Sequence, residues 1–448
     1  MSATRDLTKG NIAAELFKYF LPIAAGLWFQ QLYNAVDAIV VGKYVGTAAL
    51  AAVGGSSSHI VTLLVGFFVS LTSGAAIIIA HLYGADDRKD LTAAVGTGVA
   101  MCIIGGAVIM VVCILVAPLL LKAMQTPEDT IEGSLVYLRI YFLGTIFQLL
   151  TNMQSETLRA AGDSRDPFIF MLISCLVNIV LDLAFVLVFG LGVAGVAIAT
   201  VASQLTNAIL VTHRLLTIDD TIRLVPGSIR IDKGLFKRMM RYGIPSGLQG
   251  SMYNISNLML QAGVNLLGTT VAASWALSGK VDGFYWSTTN ALGIAITNFV
   301  GQNYGAGKYD RVRSSVKSSL ALSLSMTLVL SGAILLLADA ALYCFTDDAD
   351  VHSSTLQIIH TIVPLYFTWS FVEVFQGTLR GIGDVGTPVI ILLLGVCVSR
   401  IVWLFTAFAI NRTLFTLCLC YPLSWTITAI ALMIYYRHRM KAGLGPVK

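Results

Sequence analysis

The chain has 448 residues, of which 56% are hydrophobic and 12% are charged, and its mean hydropathy is +0.79. A soluble protein carries about 25% charged residues, and the apolar runs here recur from residue 19 to residue 436 instead of forming one core. This composition argues against a soluble enzyme, a nucleic-acid-binding protein and a disordered chain, and it indicates a polytopic membrane protein. The seven cysteines lie in apolar runs without metal-ligand spacing, so we expect them to be packing residues.

Twelve apolar runs are long enough to cross a membrane as helices. A helix rises about 1.5 Å per residue, so crossing about 30 Å of hydrocarbon takes about 20 residues. The runs are too long and too continuous for the alternating strands of a barrel. The sequence therefore predicts an all-α polytopic membrane protein with twelve transmembrane helices, near residues 19–42, 50–80, 92–121, 133–158, 167–190, 193–213, 243–268, 283–302, 318–343, 357–379, 387–409 and 413–436.

The positive charges alternate between the loops. Of the 29 Lys and Arg residues, 23 lie at the N-terminus or in every second loop after it, whereas acidic groups occupy the opposite loops at residues 128–132 and 347–350. Because cytoplasmic loops collect Lys and Arg, both termini are predicted to be cytoplasmic. We expect a multi-pass protein of the cytoplasmic (inner) membrane. Its first helix has no small-residue cleavage site and should be retained.

The chain contains an internal repeat. The string TLRAAGD at 157–163 returns as TLRGIGD at 378–384, and YGA at 83–85 returns at 304–306, both at an offset of 221 residues. Each copy holds six helices, an even number, so both enter the membrane in the same orientation and are related by an axis along the membrane normal. We predict an N-lobe over 1–217, a cytoplasmic linker over 218–240 and a C-lobe over 241–448. Two pseudo-symmetric six-helix bundles as parallel repeats are typical of alternating-access transporters.

Two carboxylates lie inside predicted spans of the first half. An ionised Asp at the bilayer centre costs about 2.5–3.5 kcal/mol, so such residues usually face a cavity or a partner. Tyr33 and Asn34 share a helix face with Asp37, and Asn178 lies one turn before Asp182. Burial and like charge favour either a proton on the pair or a cation bound between them. The pair is therefore a candidate coupling site for H+ or for Na+, the latter held by Asp37, Asn178 and Asp182; the alternative is that each Asp only hydrogen-bonds a neighbouring helix.

The second half carries a different set of polar residues. Glu373 is its own intramembrane acid, for which substrate or cation contact and a structural role are both open. Amides commonly bond between membrane helices without further function. The candidates for lining a substrate cavity are Gln31, Gln249, Tyr253, Asn257 and Glu373. Arg400 lies near a predicted span end, and we expect its side chain to extend to the membrane interface.

Enzyme and ATP-driven readings are disfavoured. The string GIGD at 381–384 fits the G-x-G-D of intramembrane aspartyl proteases, which need two aspartates sharing a proton inside the bilayer. Asp384, however, follows Arg380 in a cytoplasmic turn and repeats Asp163. No G-x-x-x-x-G-K-[ST] string for nucleotide binding occurs. We expect a transporter without enzymatic activity or organic cofactor, driven by an ion gradient.

Several segments together resemble the multidrug and toxic compound extrusion (MATE) family. They are QLYN at 31–34 before Asp37, VG at 41–42, FVGQNYGAG at 299–307 and both LRxxGD loops. The resemblance covers nearly the whole chain. It implies a V-shaped pair of lobes, and H+- or Na+-coupled antiport that exports amphipathic, often cationic drugs or toxic metabolites by alternating access. We expect such a protein to act as a monomer in the lipid bilayer.

The resemblance also assigns roles residue by residue. The family's N-lobe coupling network falls on Tyr33, Asp37, Asn178, Asp182 and Thr200, and the proline implicated in bending the first helix falls on Pro22. A fourth-helix Asn of that network has no counterpart in register, and Asn152 and Ser155 are the nearest candidates. The alternative function is a flippase for a lipid-linked precursor, which predicts extra helices or a cationic cavity; twelve spans and carboxylates in the first lobe argue against it.

Overall fold

The computed structural model describes residues 5–219, 221–343 and 345–444, so Cys344 lies outside the described residues. These residues form helices almost throughout and include no strand. The first half contains α1 (Ile12–Val40), α2 (Thr47–Gly54), α3 (Ser56–Gly84), α4 (Arg88–Ala123), α5 (Glu128–Leu143), α6 (Thr145–Ala160), α7 (Arg165–Leu183) and α8 (Gly192–Thr217). The second half contains α9 (Lys233–Asn265), α10 (Thr269–Gly305), α11 (Tyr309–Leu342), α12 (Ala349–Ile362), α13 (Phe367–Gly381), α14 (Gly386–Leu392), α15 (Ser399–Phe405), α16 (Ala407–Ile410) and α17 (Leu414–Lys441).

The described helices account for all twelve predicted spans. Eight helices or helix runs are long and apolar enough to cross a membrane, and the count is ten if each of two bent pairs is one span. The bent pairs are α5 with α6, at 47°, and α12 with α13, at 50°. The remaining two predicted spans fall on α9 and α10, which are 33 and 37 residues long. Both are long enough to cross, but they contain more polar residues than the other spans.

The chain forms two compact units, and each boundary between them falls beside a proline inside a helix. The first unit holds residues 1–7 and 21–247, and the second holds 8–20 and 248–448. Helix α1 therefore changes unit just before Pro22, and α9 changes unit just after Pro245. A proline inside a helix removes one backbone hydrogen bond and clashes with the preceding turn. Both helices are thus weakened where they pass from one unit to the other.

Each unit packs tightly against the first part of a helix that continues into the other unit. In the first unit, a Cβ added to Gly74 of α3 would lie 2.3 Å from the Met239 carbonyl oxygen of α9, and one added to Gly243 would lie 2.5 Å from the Leu71 carbonyl oxygen. Small residues allow this close approach of two membrane helices. In the second unit, Asn298 of α10 donates a hydrogen bond to the buried Tyr19 hydroxyl of α1, at 3.1 Å.

The two repeated loops share a backbone conformation but differ in their side-chain partners. Gly162 and Gly383 both have left-handed backbone, with φ of 87° and 82°. The fully buried Asp163 accepts hydrogen bonds at 3.0 Å from the backbone N–H groups of Arg165 and Asp166, at the start of α7. Asp384 instead accepts a 2.7 Å hydrogen bond from the Tyr435 hydroxyl of α17. The two loops therefore share one turn conformation, but their aspartates hydrogen-bond to different partners.

We predict that Gly162→Ala destabilises the protein by at least about 1–2 kcal/mol, the cost of a left-handed backbone for an L-residue. The added Cβ would also lie 2.1 Å from the Arg5 carbonyl oxygen. Gly227→Ala is the matched control, because nothing lies within 4 Å of its added Cβ. Thermal unfolding of the purified variants in detergent measures both. Equal transition temperatures for the two variants would contradict the prediction.

A second prediction concerns pH. Burial raises the pKa of Asp163 from 3.8 to about 6. The folded state therefore holds this proton more tightly than the unfolded state, so the free energy of unfolding falls as pH rises from about 3.8 to about 6. Asp163→Asn keeps an oxygen that can cap α7 but does not titrate. We expect the variant to lose less thermal stability than wild type between pH 4 and pH 7, and parallel profiles would contradict this.

Candidate functional site

The two intramembrane aspartates of the first half lie together in the first unit. Asp182 on α7 is only 1% exposed, and Asp37 on α1 is half-buried. Their carboxyl groups are within hydrogen-bonding range of each other. The Oδ1 atom of each is buried and has no hydrogen-bond partner among the described residues. Two carboxylates this close repel each other unless a proton or a cation lies between them.

Asn178 joins the helices of this pair to a third helix, α8. In the amide orientation that satisfies both of its ends, the fully buried Asn178 nitrogen donates to Asp182 Oδ2 at 2.8 Å and to the Tyr33 hydroxyl at 3.2 Å. Its oxygen accepts from the Thr200 backbone N–H at 3.2 Å. One amide therefore ties α1, α7 and α8 together around the carboxylates. Inside a membrane no water is available to bond these polar groups, so they depend on partners within the protein.

Thr200 takes part through its backbone. Its hydroxyl donates to the Val196 carbonyl oxygen, one turn back on α8, at 3.0 Å. A Ser or Thr hydroxyl commonly bonds its own helix in this way. The contact with Asn178 uses only the backbone N–H that α8 presents at this position.

The structure also adds a residue that sequence reasoning missed. Tyr137 on α5 is 8% exposed, and it lies in the same buried region as Asp37, Asp182 and Tyr33. No spacing along the chain links α5 to α1 or α7, so only packing could identify it.

Asn34 is exposed and Gln31 is half-buried on α1. Asn152 donates to the Gln148 carbonyl oxygen within α6, at 2.8 Å, instead of contacting the described side chains of the aspartates.

Both acids precede an irregular turn of helix. A π-helical turn, Val41–Val45, starts four residues after Asp37, and another, Ala184–Val188, starts two residues after Asp182. Single π turns inside α-helices are frequent at functional sites, because they shift the register of the side chains that follow. Neither turn could be predicted from the residue pattern.

In the second unit, Glu373 of α13 occupies space that only a glycine provides. A Cβ added to Gly293 of α10 would lie 1.8 Å from Glu373 Oε1. Arg380, two turns further along α13, interacts electrostatically with this carboxylate. Beside it, Gln376 donates to the Gln249 side-chain oxygen at 2.7 Å, which links α13 to α9. The predicted cavity residues Gln249 and Glu373 therefore belong to the same packed region of α9, α10 and α13.

Arg400 corrects a sequence expectation. Its side chain does not extend to the membrane interface; it is fully buried on α15. The guanidinium donates to the Asn257 side-chain oxygen at 3.3 Å and to the Ser424 hydroxyl at 3.2 Å. It also lies over the rings of Tyr253 and Tyr421, at 5.5 and 4.1 Å from their centroids. The predicted residues Tyr253 and Asn257 of α9 thus meet at a buried cation.

A cluster of several metal ligands is not found. The described residues include no group of three or more His, Cys, Asp or Glu side chains that could hold a metal ion. The first-unit site offers two carboxylates and an amide.

Comparison with known proteins gives a consistent family match. The MatE family model matches residues 22–184 and 245–406, which are equivalent parts of the two repeats. "Probable multidrug resistance protein YoeA" of Bacillus subtilis (strain 168) is 28% identical over 403 residues, covering 87% of this chain and 85% of that protein. YpnP of the same organism, also named a probable multidrug resistance protein, is 30% identical over 309 residues, covering 68% of each.

A solved structure has the same fold. It is described as the outward-facing conformation of a multidrug resistance MATE family transporter of the MOP superfamily. The TM-score is 0.88 at 22% sequence identity, and the match covers 97% of each chain.

We predict that Asn178→Ala destabilises the protein by about 2–4 kcal/mol, because it leaves buried groups of Asp182, Tyr33 and Thr200 without their shared partner. Asn152→Ala is the control in the same unit, since its amide bonds only within its own helix. We expect it to cost less than about 1 kcal/mol. Thermal unfolding in detergent compares the two, and equal losses would contradict the bridging role of Asn178.

Proposed function

This chain belongs to the MatE family, and on that premise we propose that it is a cation-coupled secondary antiporter. In this proposal it exports amphipathic, often cationic drugs or toxic metabolites across the inner membrane by alternating access, with both termini in the cytoplasm. The single observation that carries the proposal is the pair of facing carboxyl groups, Asp37 and Asp182, held by Asn178 in the first unit. Multidrug resistance in the names of its relatives supports the substrate class. The same names do not favour a lipid-precursor flippase.

Coupling follows from the charge of the pair. With both carboxylates ionised, repulsion pushes α1 and α7 apart; with one proton shared between them, the two side chains hydrogen-bond and hold the helices together. An ion can drive a transporter only through such a difference in affinity between two conformations. Proton entry down its gradient would therefore favour the conformation in which Asp37 and Asp182 are in contact.

The orientation of Asn178 favours a proton over Na+. A Na+ ion needs oxygen ligands, but the Asn178 nitrogen faces Asp182 and Tyr33, and its oxygen is used by the Thr200 N–H. Binding of Na+ through the amide oxygen would require this amide to turn and break its bonds to Asp182 and to the Thr200 N–H. A proton needs no such change, so we propose H+ as the coupling ion and Na+ as the alternative that the experiment must separate.

Pro22 supplies the mechanical link. It lies inside α1 next to the point where that helix passes from the second unit to the first. Asp37 lies on the same helix, about 15 residues, or about 22 Å, beyond it. The missing backbone hydrogen bond at Pro22 lowers the cost of bending there. Bending of α1 at Pro22 would then carry Asp37 toward or away from Asp182.

The experiment uses purified protein in liposomes with a fluorescent cationic dye, and imposes a pH gradient and a Na+ gradient separately. We expect the pH gradient to drive dye movement, and Asp182→Asn and Asp37→Asn each to reduce the initial rate by at least about tenfold, since neither amide can cycle between charged and neutral forms. Asp129→Asn is the control, because Asp129 is an exposed acid at the start of α5.

The outcomes are separable. Movement driven by Na+ alone would replace H+ with Na+ and require the Asn178 amide to turn. Movement that survives both Asp variants would exclude the first-unit pair as the coupling site. Dye movement that ignores both gradients in the wild-type protein would refute cation-coupled antiport.

A further inference from the structure

The second unit contains a buried cation for which the described residues provide no carboxylate ion pair. Arg400 is the fifteenth residue of the Gly386–Ile410 run, which is 25 residues long and apolar enough to cross a membrane. This places its backbone about 21 Å from the start of the run, well inside about 30 Å of hydrocarbon. A guanidinium remains charged in proteins, and a cation at this depth is expensive unless something compensates it.

The protein compensates this charge only in part. Asn257 and Ser424 accept hydrogen bonds from Nη1 and Nε of Arg400. Its Nη2 is buried and has no hydrogen-bond partner among the described residues. Tyr253, which lies near enough to hydrogen-bond, Tyr421 and Cys420 are its other polar neighbours. The guanidinium is thus fixed in orientation on two sides and left with free donor capacity on the third.

Aromatic rings surround this cation. The guanidinium carbon lies 4.1 Å from the centroid of Tyr421, 5.5 Å from that of Tyr253 and 6.0 Å from that of Trp425. Trp425 in turn packs edge-on against Trp286 and Trp369, at 5.7 and 6.0 Å between ring centroids. Rings of this kind hold a guanidinium by cation–π attraction. They also offer faces on which a planar aromatic compound can stack.

Two of the less buried neighbours of this cation lie on α9. Tyr253 and Asn257 lie one turn apart on this helix and are both half-buried, whereas Arg400 behind them is fully buried. A compound that reaches α9 therefore meets a ring and an amide first. A shift of the Tyr253 or Asn257 side chain would then bring it against the free side of the guanidinium.

We propose that Arg400 binds the carboxylate of an amphipathic aromatic compound, while Tyr253 and Tyr421 hold the aromatic part. The proposal rests on the export function above and names a substrate class for it: zwitterions, whose anionic group is recognised in the second unit, as well as simple cations. Geometry supports a carboxylate, because a guanidinium presents its N–H donors in a planar fork that matches two carboxylate oxygens. In the absence of substrate, Asn257 and Ser424 hold the fork in place.

The test compares two dyes that differ only in the anionic group. Rhodamine B carries a free carboxylate and is a zwitterion at neutral pH; its ethyl ester has the same ring system without the negative charge. Binding to the full-length protein in detergent is measured by fluorescence anisotropy. We expect Arg400→Gln to weaken binding of rhodamine B by about tenfold or more, the size expected for a hydrogen bond between charged groups, and to change binding of the ester by less than about threefold.

Two further variants keep the test decisive. Arg139→Gln is the control, because Arg139 is an exposed arginine on α5 in the first unit and should leave both affinities unchanged. Arg400→Lys preserves the charge but not the fork, so it should give an intermediate loss for rhodamine B. The ratio of the two Kd values on one preparation does not depend on the folded fraction. It therefore remains informative for a destabilised variant.

The inference fails if wild type does not prefer rhodamine B, or if Arg400→Gln weakens both dyes equally; Arg400 would then only tie α9, α15 and α17 together. The proposed function is tested independently by gradient-driven movement of the ester, whose transport does not need Arg400. Loss of ester movement in the wild-type protein with the binding preference intact would refute the coupling and leave the anion site standing.

Discussion

The structure depends on one constraint: a polar group inside the hydrocarbon must find its partners within the protein, because no water is present to supply them. Asn178 shows how this constraint organises the first unit. Its amide hydrogen-bonds Asp182, Tyr33 and the Thr200 N–H together, so one side chain holds three helices in one arrangement. The carboxylates can then be left with one unpaired oxygen each, ready for a proton.

The same constraint is met differently in the second unit. There the buried charge is Arg400, which is satisfied by Asn257, Ser424 and the faces of aromatic rings. Aromatic rings attract a cation without carrying a net charge themselves, so the guanidinium remains available to an incoming anion. The two halves therefore share a backbone plan, seen in the left-handed glycines Gly162 and Gly383, but differ in the buried polar groups that they carry.

Irregular positions in the helices lie close to the groups that carry the proposed mechanism. The prolines of α1 and α9 coincide with the places where each helix passes between the compact units. Short π turns follow Asp37 and Asp182, and a third, Leu393–Val398, ends two residues before Arg400. A regular α-helix makes the backbone hydrogen bonds within its own segment, so in lipid an irregular turn must be compensated by packing against other helices. These irregular turns lie next to the charged groups on which the proposed mechanism depends.

Much of this architecture could be predicted from the sequence because it depends on properties that are local along the chain. Hydrophobic run length gave the helices, loop charge gave the expected orientation, and the 221-residue offset gave the repeat. The family resemblance added Thr200 to the pair of buried acids. Other features are decided by which helices pack together. Arg400 bonds to Asn257 across 143 residues of sequence, Tyr137 joins the acids from a separate helix, and Thr200 acts through its backbone. Only the tertiary structure could show these, because residue type and spacing do not record the partners that a side chain meets in space.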